Sequence, residues 1–219
     1  MQTEIHIFDM DHTLIDNDCD VSWKQFLVEK KLATQDALHK ADYFYQQYRR
    51  NQLELTTYLE FQLAEFRGKT KQEMAGLAAE HFHKFITPRI FTDAAELIRN
   101  LQDDGYTTAI CTSTNSVVAA PLAQHLNIPH LLATEPEIKN GSYTGRITGT
   151  YAGGEGKVQK VSELCKKNQS SFREIAYYGD SLSDVPLLNQ VIQPVAVNPD
   201  DKLLTIAREN DWPIKRWQS

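Results

Sequence analysis

The chain has 219 residues, which suffices for one ordinary domain with a sizeable insertion but not for three independent cores. Its hydrophobic fraction of 41% and charged fraction of 24% are typical of a globular protein and argue against disorder. The net charge is −6 and basic residues form no large cluster, so the composition predicts no nucleic-acid partner.

Cysteine usage and hydropathy bear on the cellular compartment. Cys19, Cys111 and Cys165 lie far apart and form no CxxC pair, which indicates reduced thiols rather than a disulfide framework. We find neither a signal-like N-terminus nor a run of about 18 apolar residues. We therefore expect a cytoplasmic protein without a membrane partner, either a monomer or a homodimer.

The first predicted elements are a strand and a long helical stretch. Glu4–Phe8 predicts a short apolar strand that runs into an acidic loop. Across Val21–Phe85, apolar residues recur at three- and four-residue spacing without proline, which is typical of helices. Ile86-Thr87-Pro88 ends this stretch, because proline disfavours helical geometry in the residue before it. The pattern predicts an all-helical insertion directly after the first strand.

From Pro88 onward, predicted helices and strands alternate. The helices are predicted at Thr92–Asp104, Ser116–Leu126, Glu155–Asn168 and Ser183–Leu188, and the strands at Tyr106–Cys111, Leu131–Ala133, Glu174–Tyr178 and Ile192–Val197. Asn140-Gly141 predicts a two-residue hairpin turn. This alternation predicts an α/β core with a parallel sheet, formed by residues 1–15 and 88–219, and a helical domain at 16–87.

Polar residues follow several of the predicted strands, where ligands of open parallel sheets bind. Asp9 and Asp11 come directly after the first strand, and residues two apart in extended chain point to the same side. Two carboxylates this close repel each other unless a cation or a shared proton intervenes. A solvated acidic turn is the simpler alternative.

The second and third sites contain hydroxyl groups and a lysine. Thr112, Ser113 and Asn115 precede a predicted helix, where hydroxyl and amide groups suit a phosphate, although an ordinary helix cap explains them equally well. The segment Gly153–Val158 resembles a P-loop, but its spacing does not match. Because a helix N-terminus disfavours cations, Lys157 indicates an anionic neighbour, unless it is simply a surface lysine.

The fourth site is the segment Gly179–Asp184. Asp180 comes at the end of a predicted strand, and Asp184 lies four residues later, so both can face one point. Gly179 permits close approach of the backbone. Helix capping would explain Asp180 alone but would not explain the second acid.

Together these segments resemble the haloacid dehalogenase superfamily, whose motifs read DxDx[TV], a strand-terminal Ser/Thr, a Lys and an acidic GDxxxD. The matching segments here are Asp9–Thr13, Thr112, Lys157 and Gly179–Asp184. The resemblance covers the whole core, and the helical insertion resembles the C1 cap of the phosphoserine-phosphatase-like branch. His12 departs from the pattern, because Gly or Ser is more usual there.

The resemblance implies a Mg²⁺-dependent phosphomonoesterase that acts on a small-molecule phosphate ester through an aspartyl-phosphate. The implied roles are nucleophile for Asp9, general acid and base for Asp11, phosphate binding for Thr112, Ser113 and Lys157, metal binding for Asp9, Asp11 and Asp180, and orientation of metal-bound waters for Asp184. The cap would close over the site and contact the leaving group.

The substrate is predicted from the cap. In phosphoserine phosphatases a cap glutamate nine residues after the nucleophile meets the amine, and a cap arginine binds the carboxylate. Asp18 and Glu60 occupy the corresponding positions here, with Arg49, Arg50 and Arg67 as loose candidates for the guanidinium. Without that cation a substrate carboxylate would be unpaired, which disfavours phosphoserine. The cap acids, Glu54 among them, favour an amine-bearing ester such as histidinol phosphate or phosphoethanolamine.

Besides Asp18, Asn115 is a candidate substrate contact. Phosphoserine phosphatase is the alternative activity. A non-hydrolytic phospho-acceptor signalling domain and a scaffold are alternatives of another class, but a long helical cap and a filled proton-donor position at Asp11 argue against both. His81 and His83 point to different sides of a predicted helix, so we expect them at a surface or an interface.

Overall fold

The computed structural model describes residues 4–50, 52–168 and 174–218. In this part of the chain seven strands form one sheet in the order β4-β3-β2-β1-β5-β6-β7. The strands are β1 Ile5–Phe8, β2 Thr107–Asn115, β3 His130–Lys139, β4 Ser142–Thr148, β5 Ile175–Gly179, β6 Gln193–Val197 and β7 Ile214–Lys215. All neighbouring strands are parallel except the antiparallel pair β3 and β4.

Helices connect most of these strands and fill the long interval after β1. The α-helices are α1 Cys19–Glu29, α2 Asp36–Arg49, α3 Leu55–Gln62, α4 Lys71–His81, α5 Thr92–Asp103, α6 Ser116–His125, α7 Glu155–Asn168, α8 Val185–Leu188 and α9 Asp201–Glu209. Helices α1 to α4 follow β1 before the alternating part begins, so the predicted α/β fold with a helical insertion is confirmed.

The sheet is covered on both faces. Residues of β1 alternate in direction: Ile5 and Ile7 pack with residues of α7 and α9, whereas Phe8 packs with residues of α5 and α6. Parallel strands buried on both faces need apolar side chains on both sides, which explains the nearly continuous apolar run of β1. The result is a three-layer core in which the carboxyl ends of β1, β2 and β5 are adjacent.

The insertion packs around aromatic side chains. Trp23 of α1 is fully buried and stacks on Phe26 with ring centroids 5.5 Å apart. His81 is also fully buried, and its Nε2 lies 2.9 Å from the Ser22 hydroxyl. The prediction that His81 lies at a surface or an interface was therefore wrong, because the chain folds its side of α4 against α1, whereas His83 is exposed.

Several element boundaries differ from the prediction. The hairpin is confirmed, since Asn140 and Gly141 have φ of 52° and 81°, which a two-residue turn of this kind requires. Strand β2 extends to Asn115 and β3 to Lys139, well beyond their apolar segments, because pairing continues across polar residues. Helix α9 and strand β7 were not predicted.

Within the described residues, no helix combines the length and the apolar character that crossing a membrane requires.

Candidate active site

Asp9 lies at the carboxyl end of the central strand β1. Its backbone N–H donates to the carbonyl oxygen of Tyr178 at 2.8 Å, which extends the pairing of β1 with β5 by one residue. The residue is only 7% exposed. The sheet therefore holds the Asp9 carboxylate at the edge where three strands end, as the sequence predicted.

Lys157, in the first turn of α7, lies beside this carboxylate. Its Nζ donates to Asp9 Oδ1 and to Asp184 Oδ1, each at 2.6 Å, and the side chain is almost fully buried. Burial alone would lower the pKa of Lys157, but the carboxylates of Asp184 and Asp9 raise it well above its usual range. The expected anionic neighbours of Lys157 are thus two carboxylates of the chain itself.

Asp184 is held by donors on both of its oxygens. Its Oδ2 accepts from the backbone N–H groups of Asp180 and Ser181, each at 3.1 Å. Its Oδ1 also accepts from the Tyr177 hydroxyl at 2.5 Å, a contact that sequence reasoning missed. A Cβ on Gly179 would lie 2.5 Å from Asp184 Cγ, so only glycine fits there.

Asp9, Asp180 and Asp184 form an acidic cluster with one carboxylate oxygen of each within 4.8 Å of the others. Burial, followed by the charges of Asp9 and Asp184, raises the pKa of Asp180 well above its usual range. Burial likewise raises the pKa of Asp9 to about 6, although Lys157 opposes this shift. Buried carboxylates that one ammonium group compensates incompletely suit a hard divalent cation, which prefers oxygen ligands.

Asp11 lies two residues after Asp9, in the segment that leads from β1 into the insertion. Its Oδ1 accepts from the backbone N–H of Cys19 at 2.9 Å, and its Oδ2 accepts from the Thr114 hydroxyl at 2.8 Å. Burial, together with the carboxylates of Asp18, Asp9 and Asp20, raises the pKa of Asp11 well above its usual range. This geometry suits an acid that carries a proton near neutral pH.

The polar residues that end β2 take separate roles. Thr112 is buried, and its Oγ1 accepts from the backbone N–H of Thr114 at 3.1 Å. Ser113 lines a cavity next to Asp9. Asn115 Oδ1 instead accepts from the backbone N–H of Val118 at 3.1 Å and caps α6. The expectation that Asn115 contacts substrate therefore loses its support, and the helix cap explains the residue.

A cavity of about 680 Å³ extends from the strand ends to helices α1, α2 and α3 of the insertion. Its lining includes Asp16, Asp18, Asp20 and Arg49 of the insertion, and the aromatic residues Phe44, Tyr45, Tyr48, Tyr58 and Tyr151. The insertion thus supplies three carboxylates to the lining of the cavity.

Two cap acids that the sequence suggested as substrate contacts do not line this cavity. Glu54 caps α3, where its carboxylate accepts from the backbone N–H groups of Thr56 and Thr57 at 3.0 and 2.9 Å. Glu60 is exposed on the same helix. The suggestion was wrong for both residues, because the spacing of charges along a helix does not reveal which face it turns to the core.

The fold and the site define a hydrolase of the haloacid dehalogenase type. The model of the haloacid dehalogenase-like hydrolase family matches residues 7–189, and the chain belongs to this family.

Relatives with similar sequences and structures agree with this assignment. A histidinol-phosphatase of Neisseria meningitidis is 33% identical over 213 residues, which cover 95% of this chain and 96% of the relative. The crystal structure of a Bordetella pertussis protein of unknown function is 34% identical, covers 97% and 98% of the two chains, and superposes with a TM-score of 0.89. A phosphoserine phosphatase structure with a phospho-aspartyl intermediate analogue shares the fold, with a TM-score of 0.70, 16% identity, and coverage of 99% of this chain and 94% of that chain.

Proposed function

We propose that the protein is a Mg²⁺-dependent phosphomonoesterase that acts on a small, amine-bearing phosphate ester through an aspartyl-phosphate. The observation that carries this proposal is the arrangement around Asp9. Its carboxylate lies 2.6 Å from the Lys157 ammonium and inside an acidic cluster, and the protonatable Asp11 lies two residues further along.

Asp9 is the proposed nucleophile. One of its carboxylate oxygens attacks phosphorus in line, the bond from phosphorus to the ester oxygen breaks, and the electron pair of that bond leaves with the alkoxide. Asp11 donates its proton to the alkoxide, and the Thr114 hydroxyl and Cys19 N–H hold the resulting carboxylate in place. Asp11 then takes a proton from the water that hydrolyses the aspartyl-phosphate and restores Asp9.

The phosphoryl oxygens need positive charge and N–H or O–H donors throughout the reaction. In this proposal Lys157, the Thr112 hydroxyl and the Ser113 backbone N–H supply them. When substrate binds, the Lys157 ammonium donates to a phosphoryl oxygen in place of part of its contact with Asp9. Its hydrogen bond to Asp184 keeps the ammonium in position.

The acidic cluster fits Mg²⁺ because its donors are carboxylate oxygens of three buried residues that lie within 4.8 Å of one another. The ion would be held by Asp9, Asp180 and the backbone carbonyl of Asp11, and it would neutralise charge on the phosphoryl group. Since both oxygens of Asp184 are already held by protein donors, that residue orients the site from behind.

We also propose that residues 16–87 form a cap domain over a core of residues 1–15 and 88–219. The cavity between the strand ends and helices α1 to α3 supports this division. A hydrogen bond of 2.7 Å between the hydroxyls of Tyr48 and Ser183 joins the two parts beside the acidic cluster. From the sparse cysteines we further propose a cytoplasmic location.

The carboxylates at the far side of the cavity favour an amine-bearing leaving group. Asp18 lines the cavity and caps α1, where its carboxylate accepts from the backbone N–H of Val21 at 2.8 Å and from that of Asp20. An ester such as histidinol phosphate, the substrate named for the Neisseria relative, satisfies this arrangement. Phosphoserine is the alternative, because Arg49 also lines the cavity and could pair with a carboxylate.

Phosphate release tests the proposal. The assay uses p-nitrophenyl phosphate and a panel of amino-alcohol, amino-acid and sugar phosphates, with Mg²⁺ or with EDTA, for the wild type and for Asp9→Asn. We expect Mg²⁺-dependent release that falls by more than about 10⁴-fold in Asp9→Asn, the order of loss for a removed nucleophile. The proposal fails if a folded, Mg²⁺-loaded wild type releases phosphate from no ester, or if Asp9→Asn retains full activity.

A further inference from the structure

Gln62 is a buried polar residue that the mechanism does not use. It lies at the end of α3, its side chain is only 5% exposed, and it lines the cavity. Its Oε1 accepts no hydrogen bond from any residue within 4–50, 52–168 and 174–218. Buried amide oxygens nearly always have a partner, so this acceptor at a cavity wall points to a ligand that donates to it.

A second acceptor, Asp20, belongs to the same part of the wall. The Tyr58 hydroxyl donates to Asp20 Oδ2, and Tyr58 lies one helical turn before Gln62 on α3. Gln62 and Asp20 therefore face the same region of the cavity. This pair lies on the insertion, separate from the acidic cluster at the strand ends.

The nearby lysine does not occupy these acceptors. Lys24 Nζ donates to the backbone oxygen of Phe61 at 2.6 Å and forms an ion pair with Glu65. It is fully buried, whereas the cavity lining contains Asp20 and Gln62 but not Lys24. The ammonium thus lies behind the wall, and the cavity side of the two acceptors is left for a ligand.

Aromatic rings enclose the same region. The Tyr58 ring lies 5.6 Å from the Phe44 ring and 6.5 Å from the Tyr151 ring, measured between centroids, and both pairs are tilted steeply. All three rings line the cavity. Aromatic walls accept a flat ring, and acceptors in those walls select a ring that carries an N–H group.

We propose that Gln62 and Asp20 are specificity-determining residues that accept hydrogen bonds from a flat nitrogen heterocycle at the far end of the leaving group. The inference rests on the proposed phosphatase function and deepens it. The ammonium group of the substrate faces Asp18, and the ring lies between the aromatic residues with an N–H directed at Gln62 Oε1. A leaving group that ends at the amine, as in phosphoethanolamine, does not reach this pair.

The test compares Gln62→Leu with the wild type on L-histidinol phosphate, phosphoethanolamine and p-nitrophenyl phosphate. We expect kcat/KM for histidinol phosphate to fall by about 10-fold, mostly through KM, because one hydrogen bond made equally in ground and transition states is lost. Turnover of the other two esters stays within about 2-fold, since they make no contact with Gln62. Gln62→Glu keeps an acceptor and retains most of the activity toward histidinol phosphate.

Glu60→Leu, an exposed position on the same helix, is the matched control and should change none of the three rates. Thermal unfolding reports whether each variant is folded, and Gln62→Met replaces Gln62→Leu if the latter is not. An equal loss on all three esters, or no loss on histidinol phosphate, overturns the inference. A wild type that prefers phosphoethanolamine to histidinol phosphate overturns it while the phosphatase function stands. A wild type inactive on every ester refutes the function, and the inference with it.

Discussion

The carboxylates at the two ends of the cavity differ in the groups that donate to them. At the strand ends, Asp9 and Asp184 each lie 2.6 Å from the Lys157 ammonium, and Asp184 has further donors from the chain. At the insertion end, Asp18 and Asp20 receive donors such as the Val21 N–H and the Tyr58 hydroxyl, with no lysine among the described residues that line the cavity.

This difference indicates that the reaction takes place at the strand ends and that the leaving group is recognised at the insertion end. At the strand ends, the shared ammonium of Lys157 holds Asp9 and Asp184 in place before substrate arrives, which is what an in-line attack on phosphorus requires. Acceptors at the insertion end are incompletely compensated, so a cationic ligand gains most there. The same residue type thus supports catalysis on one side of the cavity and selection of the leaving group on the other.

The largest expected effect comes from removing the ammonium group at the strand ends. In Lys157→Met, Asp9 and Asp184 lose their shared cation inside a buried site, which typically costs about 3–5 kcal/mol of unfolding free energy. Activity should fall by about 10²–10³-fold. Urea unfolding in EDTA and phosphate release measure the two effects, with Lys166→Met, an exposed lysine of α7, as the control. Equal stability of Lys157→Met and wild type would show that the ammonium does not compensate these acids.

The charge left at the strand ends should bind a divalent cation. Mg²⁺ at about 100 times its Kd should raise the unfolding free energy of the wild type by about 2.7 kcal/mol, and Asp180→Asn should lose most of this gain. In EDTA the variant should be at least as stable as the wild type, because one member of a repelling cluster has become neutral. Asp16→Asn, an exposed acid of the same cavity, should keep the full Mg²⁺ effect. An undiminished Mg²⁺ effect in Asp180→Asn would place the ion elsewhere.

A substitution at the insertion end should weaken substrate recognition without a loss of stability. Burial raises the pKa of Asp18, so its charged form is disfavoured in the folded protein, and asparagine keeps the cap of α1. Asp18→Asn should therefore be as stable as the wild type or more so. Its kcat/KM for amine-bearing esters should fall by about 10- to 100-fold, with p-nitrophenyl phosphate unaffected.

Steady-state kinetics on phosphoethanolamine and p-nitrophenyl phosphate, together with urea unfolding, check this prediction. Glu60→Gln is its control because Glu60 is exposed outside the cavity. An equal loss of kcat/KM on both esters would mean that Asp18 acts in the reaction at the strand ends and not in recognition of the amine.

The smallest expected effect concerns the interior of the insertion, where burial favours the neutral form of the His81 imidazole. Burial lowers the pKa of His81 to about 3, below its ordinary value of 6.5. Between these values the unfolded state binds more protons, so this residue makes stability fall with decreasing pH, by at most about 1.4 kcal/mol per pH unit. The difference in unfolding free energy between wild type and His81→Gln should shrink from pH 7 to pH 5.

Measuring that difference at several pH values removes the contribution of the buried acids, whose raised pKa values give the opposite slope. His83→Gln, at an exposed histidine two residues away, is the matched control variant. A constant difference between wild type and His81→Gln would mean that His81 titrates with the same pKa in the folded and unfolded states.

Local patterns were enough to predict most of the fold and the reaction end of the site. Helix α7 begins and ends where its apolar period predicted, and the turn at Asn140-Gly141 follows from residues that tolerate positive φ. Asp9, Asp180 and Asp184 could be predicted to converge because parallel strands end at one edge of a sheet, so sequence order and strand pattern nearly fix their positions. Lys157 could be predicted near an anion because its helix position is otherwise unfavourable.

Contacts between distant segments of the chain, at both ends of the cavity, depended on tertiary structure. The Thr114 hydroxyl reaches Asp11 across 103 residues of chain, and no local pattern distinguishes it from its neighbours. Similarly, helical periodicity shows that α3 has a buried face but not which residues that face contacts. The sequence therefore did not indicate Gln62 as a cavity residue, whereas it suggested Glu54 and Glu60, which are exposed. The sequence by itself determined which chemical groups stand at the strand ends, because backbone geometry places them. Only the packing of helices against the core decided which side chains contact the leaving group, since that depends on contacts between distant segments.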